Sequence, residues 1–543
     1  MKSLEGQLVD ILNGSIYPVK ITIKGSIITQ IEKISSAPLV YILPGFIDAH
    51  VHIESSLLSP VEFAKSAVRH GCVAAISDPH EIANVCGVKG IEYMIHSART
   101  VPFKIFFGVP SCVPATSQET SGACIGINEV SYLFEKYHLK YLSEVMNFPA
   151  VIQHSEEVIA KIDLARKYGK RIDGHAPGLT GKDLEIYAQS GIQTDHECVS
   201  MEEAEEKINC GMKILIREGS AARNFSSLSA LIDKYPQDVM LCTDDCHPAE
   251  LVSGHICAIV NRGLRSGINI FNLLRAACIN PVKHYDLDIG QLRENDPADF
   301  ILSSSINQVE VIQTWIKGGL VYSENKVHFF PLQIKPINNF HAEIISTEDL
   351  HLRAKSKFIR VMHVIDGELL TDCSIEEALI ENGLAVSNPD RDLLKIVVVN
   401  RYIPSVPVVG FIKNMGLHDG AIASSVAHDS HNIIAVGNTD LDIARAVNAI
   451  ILAKGGLALY DGTESHILPL EIAGLMSVQP VEDVLLQLDN LNERAHTLGC
   501  RLKSPFMSLS FMALLVIPHL KIGDRGLFDA DHFAFTDLFV SGS

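Results

Sequence analysis

The chain has little charge for its size and none to spare on the positive side. Only 20% of its 543 residues are charged, 45 basic against 64 acidic, giving a net charge of −19 with histidine neutral. That surplus excludes a phosphate-tracking nucleic-acid surface and opposes adsorption to anionic lipid. A small neutral or cationic substrate fits it better. The twelve cysteines include no C-x-x-C pair and form no repeating framework; Cys242 and Cys246 merely flank Thr243-Asp244-Asp245. Such thiols read as reduced and buried in a cytoplasmic protein. The opening Met1-Lys2-Ser3-Leu4-Glu5-Gly6-Gln7 lacks the pattern of a signal peptide. The most apolar late run, Leu509 to Ile517, is too short to span a bilayer and ends at Pro518. Internal repeats, low-complexity segments and long linkers are missing as well. The expectation is a soluble, cytoplasmic protein with no nucleic-acid or membrane partner.

What is present is an apolar fraction of 47%, enough for large cores, in a chain long enough for about three or four domains. Short strand patterns with Asn13-Gly14 and Lys24-Gly25 turns fill residues 7–42: Gln7–Leu12, Val19–Ile23 and Ile27–Ile31. A related set returns at Ala298–Leu302, Val309–Thr314 and Gly319–Tyr322. Residues 1–42 and 291–338 are therefore expected to form one small composite β-sandwich domain. Between them, residues 43–290 alternate strand-like and helical stretches. The strand-like runs are Tyr41–His52, Cys72–His80, Phe103–Ser111, Lys140–Asn147, Arg171–His175, Ile192–Glu197, Met212–Glu218 and Val239–Asp245. Their ends lie roughly 20 to 35 residues apart, the length of one strand and its crossover helix. Eight such units predict an α/β fold of the (β/α)8 TIM-barrel type. Residues 339–543 read as a C-terminal α/β domain, with strands at Leu394–Val399 and Asn432–Val436. Its helices are placed at Asp440–Lys454, closed by Gly455-Gly456, and at about Val481–Thr497.

The polar residues recur at the C-terminal ends of the runs, where such barrels carry their chemistry. His50 and His52 stand one residue apart, so a strand projects both imidazoles to one side. A bare H-x-H is more often a solvent-facing pair. Here Glu144, His175, His196 and Asp244 follow at later strand ends. Four histidines and two carboxylates can hold two divalent cations bridged by a carboxylate and a water, which makes hydroxide available near neutral pH. Asp244 can then take the water's proton. His80 and Glu81 follow Asp78-Pro79, a pattern that also caps a helix; capping leaves both free for substrate or proton transfer. Ser111, Arg217 and Ser220 are either loop-packing residues or substrate contacts. His154 and His247 are read as surface or supporting residues. His428-Asp429-Ser430-His431 is either a structural turn of a lid or dimerisation unit, or a loop that helps close the pocket.

With these motifs in view, the chain resembles the amidohydrolase superfamily and, within it, the bacterial adenine deaminases. The broad signature is Pro44-Gly45-Phe46-Ile47-Asp48-Ala49-His50-Val51-His52 with His175, His196 and Asp244. The narrower one is Ile53-Glu54-Ser55-Ser56, Ser77-Asp78-Pro79-His80-Glu81-Ile82-Ala83-Asn84-Val85, Gly174-His175-Ala176-Pro177-Gly178-Leu179 and Cys242-Thr243-Asp244-Asp245, with Ala427-His428-Asp429-Ser430-His431-Asn432 and Leu468-Pro469-Leu470-Glu471-Ile472-Ala473-Gly474-Leu475-Met476-Ser477 farther on. The sequence departs from that pattern at Tyr402, where a histidine is expected, and at Leu515, where a proline is usual.

The resemblance implies hydrolytic deamination of adenine to hypoxanthine and ammonia. It implies two divalent metals, manganese or iron by preference, although such donors also suit zinc. It implies that Glu144, rather than a carbamoylated lysine such as Lys140, bridges them, with His50, His52, His175, His196 and Asp244 as the other ligands. Asp244, Glu81 and His80 are the catalytic set, with Glu81 as candidate donor to N1. His80, Glu81, Ser111, Arg217 and Ser220 are the substrate contacts, and the assembly expected is a homodimer or higher homo-oligomer. A cytosine deaminase or dihydroorotase is the alternative within the superfamily. A non-catalytic scaffold barrel is the alternative outside it, opposed by six filled ligand positions.

Overall fold

Val19, Ile21 and Ile23 alternate with Lys20, Thr22 and Lys24, and this period of two builds the strand Ser15–Lys24 with its apolar face buried. The computed structural model in which it lies describes residues 1–220, 222–332 and 334–540. The chain divides into two compact units. The first comprises Met1–Pro79, Glu92–Ser111 and Gly126–Ile334; the second comprises His80–Ile91, Cys112–Ile125 and the chain from Lys335 onward.

In the first unit, the N-terminal strands and those after residue 299 lie in one eight-stranded sheet. The strand Lys2–Asp10 pairs antiparallel with Ser15–Lys24, and Phe300–Ser303 pairs antiparallel with Tyr41–Pro44. Leu8, Ile21, Ile42, Phe300 and Trp315 from both halves of the sequence share one core. The expected run Tyr41–His52 is two strands, not one. Tyr41–Pro44 belongs to this sheet, whereas Phe46–Val51 begins a separate parallel set. Gly45 lies at the break, and its backbone runs so near Val73 that a Cβ there would meet Val73 Cγ1 at 2.2 Å.

The parallel set is made of short, mostly buried runs, the pattern of strands covered on both faces. Phe46–Val51, Cys72–Ser77 and Lys104–Phe107 pair in parallel, as do Tyr141–Val145 and Arg171–Gly174. Thr194–Asp195, Lys213–Arg217 and Val239–Cys242 form a third group. Parallel bridges link Val109 to Leu142 and Val51 to Asp244. Between the fifth and sixth strands the Gln193 amide donates to the Ile172 carbonyl. The strands are shorter than the sequence runs because their polar ends turn into loops.

The second unit is built on a nine-stranded sheet that includes Leu394–Val399 and Ile433–Gly437 as antiparallel neighbours. Helix Asp440–Ala453 lays Ile443, Val447 and Ile450 against Val397, Ala423 and Ala435. Its Thr439 cap accepts the Asp442 amide, and Lys454 rather than Gly455 takes the left-handed C-cap conformation, at φ 58°. A second helix spans Val481–Thr497. The short segments from earlier in the chain are tied in by polar contacts: Asn339 Nδ2 donates to the Val85 carbonyl at 2.9 Å, and the Thr120 amide donates to Asp524 Oδ1 at 2.9 Å. Among the described residues, no helix is long and apolar enough to cross a membrane.

Candidate metal centre and proton-transfer residues

His50 lies on the first parallel strand and His52 just beyond it, and the structure sets their Nε2 atoms 3.2 Å apart. Asp244 follows the eighth strand and adopts φ 55°, a left-handed conformation that Asp tolerates better than most residues. That turn brings its Oδ1 to 3.4 Å from His50 Nε2 and 3.2 Å from His52 Nε2. Glu144, on the fourth strand, divides its carboxylate between two groups of imidazoles. Its Oε1 lies 3.4 Å from His52 Nε2, and its Oε2 lies 2.9 Å from His175 Nδ1 and 3.2 Å from His196 Nε2. His175 Nδ1 and His196 Nε2 are themselves 3.3 Å apart. All six residues are buried except His175, which is half-buried.

These spacings test the site for a metal. Donors bound at about 2.1 Å around one ion are separated by roughly 3.0 to 3.4 Å along the edges of the coordination polyhedron. The separations here fall in or beside that range, and the donor set of imidazoles and carboxylates suits divalent first-row ions. Both carboxylates are ionised and ready to bind. Burial would raise the Glu144 pKa, but His175, His196 and His52 hold it well below the usual range. Burial acts likewise on Asp244, where Arg217, His50 and His52 outweigh it.

The surrounding residues fix these donors. Asp48 accepts the Thr243 amide at 3.0 Å and His255 Nε2–H at 2.7 Å, so it braces the strands carrying His50 and Asp244. His255 also lies 3.0 Å from Cys72 Sγ, but this thiol is fully buried, and burial pushes its pKa well up. Asp195 accepts the Ala176 and Glu197 amides at 2.8 and 3.0 Å, and Lys207 Nζ at 3.0 Å. It thereby pins the residues that follow His175 and His196.

Arg217 is buried. Its Nη1 donates to Asp244 Oδ2 at 2.6 Å, and its Nη1 and Nη2 form a fork on Glu197, with Nη2 to Oε2 at 2.7 Å. Glu197, which directly follows His196, is a further carboxylate of the site that no sequence motif marks. Its Oε1 lies 3.4 Å from His175 Nδ1 and 3.3 Å from His196 Nε2. Ser111 Oγ donates to the Glu144 carbonyl at 2.5 Å. Ser220 Oγ donates to Glu250 at 2.9 Å and accepts the His247 amide at 2.8 Å, so it ties the loop after the seventh strand to the segment after the eighth. His154 is exposed. Lys140 Nζ donates to the Asp286 carbonyl at 2.8 Å.

His80 and Glu81 open the helix His80–Cys86 of the second unit. Glu81 is buried, with Oε1 2.6 Å from His428 Nδ1, Oε2 in a short hydrogen bond with His431 Nε2, and His80 Nε2 3.5 Å from Oε1. Burial would raise its pKa, but His428, His431 and His80 keep it well below the usual carboxylate range. The loop left open by the sequence therefore converges on a residue singled out from the sequence. Tyr402, the departure from the family pattern, is buried, and its Oη donates to the Ser430 carbonyl of that loop at 2.5 Å.

The description "Amidohydrolase family" matches residues 41–321, and "Adenine deaminase C-terminal domain" matches residues 368–534. An adenine deaminase of Methanosarcina mazei is 52% identical across 99% of this chain and 100% of its own. One of Salinibacter ruber is 49% identical across 99% of each. One of Borreliella burgdorferi is 47% identical across 98% of this chain and 99% of its own.

Proposed function

This chain belongs to the amidohydrolase family, among the adenine deaminases, and from that premise we propose that it hydrolyses adenine to hypoxanthine and ammonia. The observation that carries the reading is the Glu144 carboxylate, shared between the His52 side and the His175–His196 side of one buried donor set. The eight parallel strands, with bridges from third to fourth and from eighth to first, support a closed (β/α)8 barrel around that set.

His50, His52, Glu144, His175, His196 and Asp244 would hold two divalent ions, manganese or iron by preference, although the donors also suit zinc. When bound, such a pair supplies hydroxide from water at neutral pH. Asp244 takes the proton of the attacking water and carries it to the exocyclic amine, which leaves as ammonia. The Arg217 fork holds the other oxygen of Asp244, so one face of the carboxylate stays aimed at the histidines. Glu81 moves a proton to N1, making C6 electrophilic as it is attacked. Chain connectivity supports this role, since Glu81 stands four residues beyond Ser77, the last residue of the second strand. His80 and Ser111 contact the base. The net charge of −19 favours a bare base over its nucleotide. A cytoplasmic location and a homodimer or higher homo-oligomer complete the proposal. All twelve cysteines are free thiols, which accords with that compartment.

The test is metal analysis of the purified protein, with the absorbance change from adenine to hypoxanthine followed for each metal form. Ammonia release from adenine by the manganese or iron form, without turnover of AMP, is the expected result. Release from cytosine or opening of dihydroorotate, with adenine untouched, would overturn the assignment. Light scattering of the same preparation reads the oligomeric state.

A further inference from the structure

The parallel strands carry the metal donors at their C-terminal ends, and their N-terminal ends gather a different chemistry. Lys140 precedes the fourth strand, Lys170 precedes and Arg171 opens the fifth, and Lys213 opens the seventh. Lys283 and His284 stand in the last turn of the short helix Asn280–Tyr285. These residues line two depressions of about 580 and 590 Å³, and Arg171 and Lys283 belong to the walls of both. We propose that this face binds a small phosphate-bearing anion, held by Lys170, Arg171 and Lys283. The fifth strand spans only Arg171–Gly174, so about 13 Å of extended chain separates Arg171 from His175. The site is distinct from the metal centre, and the inference does not rest on the reaction assigned there.

The chain has 45 basic residues against 64 acidic, so counterions are plentiful. Among the described residues of these walls, Lys140, Lys170, Arg171, Lys213, Lys234 and Lys283 nevertheless face the carboxylates of Asp238 and Asp286 alone. Asp238 pairs with Lys213 and Glu205 with Lys234, each at 2.5 Å. Lys140 is spent on the Asp286 carbonyl. Among the described residues, no carboxylate pairs with Lys170, Arg171 or Lys283. Arg171 Nε donates to the His284 carbonyl at 2.8 Å. That bond fixes the guanidinium plane and leaves both terminal nitrogens for a fork on phosphate oxygens. The two lysines add point charges on either side of it.

The unbalanced field acts on its neighbours. Burial and the Lys140 ammonium lower the Lys170 pKa. Burial brings the His284 pKa down to about 3, with Arg171 and Lys213 adding to the effect. His284 is therefore neutral. It is only 9% exposed, and its Nε2 has no hydrogen-bond partner among the described residues. Gln193 Oε1, in the wall of the same depression, is likewise unpartnered. Buried polar atoms left unmatched are costly, and a ligand that brings polar groups of its own relieves that cost.

A helix C-terminus attracts cations, which accounts for Lys283. It does not account for Lys170 and Arg171, which stand at the start of a strand, where backbone dipoles largely cancel. Inorganic phosphate would occupy a fraction of either depression, whereas a volume near 580 Å³ suits a nucleoside or sugar phosphate. Concave basins favour such an anion over a nucleic acid, which the net charge of −19 also repels.

The experiment is calorimetric titration of the metal-loaded protein with ADP, ribose 5-phosphate, inorganic phosphate, adenosine and a short single-stranded RNA. Wild type is compared with Lys283→Glu, Lys170→Gln and a control, Lys182→Glu, on the exposed first turn of the helix that follows the other end of the fifth strand. At least one phosphate compound should bind wild type and the control alike, and bind more weakly as sodium chloride is raised. Lys283→Glu and Lys170→Gln should each weaken it about 10-fold or more, the scale of one lost charge-assisted contact. Adenine turnover and metal content should stay at the wild-type level in both. Tightest binding of ADP identifies a nucleoside phosphate, of ribose 5-phosphate a sugar phosphate, and equal binding of inorganic phosphate the free anion. Equal affinity in all four proteins overturns the site, as does a lack of binding by every phosphate compound. Binding of adenosine as tight as that of ADP, or of the RNA alone, overturns it too. If Lys170→Gln fails to fold, the exposed Lys283 decides.

Discussion

Arg217 holds Asp244 through a 2.6 Å hydrogen bond from Nη1 to Oδ2, while the same guanidinium grips Glu197 with both of its terminal nitrogens. One buried cation thus orients two carboxylates. Arg217→Met leaves both without it and should destabilise the metal-free protein by about 3 to 5 kcal/mol, read from urea unfolding. Arg217→Lys should recover much of that stability but not kcat, because an ammonium cannot reproduce the fork. Equal kcat in Arg217→Lys and wild type would remove the orienting role.

Glu144→Gln should lose both metal and activity, and bicarbonate should restore neither. Lys140→Ala should be fully active, since its ammonium is spent on the Asp286 carbonyl. A dead Lys140→Ala, together with a bicarbonate requirement in the wild type, would shift the bridge to a modified lysine. Metal content by mass spectrometry and the adenine assay give the answer.

Asp244→Asn should retain most of its metal, because four imidazoles and Glu144 remain close-set. Its kcat should fall roughly 10²-fold or more, the usual scale for losing a general acid–base group. A variant that loses its metal instead would make Asp244 a ligand first and a proton carrier second.

Lys521 gives a pH prediction. It is fully buried, donates to the Leu369 and Phe511 carbonyls, and burial lowers its pKa to about 7. Unfolded, it stays protonated to about pH 10.4. Between these values the unfolded chain binds the extra proton, so Lys521 makes stability rise with pH, by at most about 1.4 kcal/mol per unit. Lys521→Met should remove that slope. Denaturant unfolding of both proteins from pH 7 to pH 10 measures the difference, and parallel curves would show that the ammonium keeps its charge inside.

The metal donors are legible in the sequence because each sits at the end of a local pattern. The period of two at His50 and His52, and the polar residues closing each apolar run, need no knowledge of distant contacts. The break at Gly45 is less legible. Nothing local says that Tyr41–Pro44 and Phe46–Val51 enter different sheets; the close approach of Val73 to the glycine between them is a contact made only in the fold. Glu197 was hidden for another reason. Its neighbour His196 carried the motif, and the value of Glu197 lies in Arg217, twenty residues on. The partners of Glu81 were the least legible, being 347 and 350 positions away on a loop whose own residues suggest only a turn.

The way the sequence is shared between the two units has a consequence for synthesis. Segments 80–91 and 112–125 are made early but belong with residues from 335 onward. His428 emerges 347 residues after Glu81, which at about 5 to 20 residues per second is a wait on the order of tens of seconds. During that interval the helix His80–Cys86 has no nine-stranded sheet to join, and Glu81 has no imidazole to hold it. A nascent or truncated chain ending near residue 334 therefore presents those segments to whatever chaperone or protease meets it first. Removing the C-terminal third does not release an intact smaller enzyme; it strands two pieces of the earlier chain.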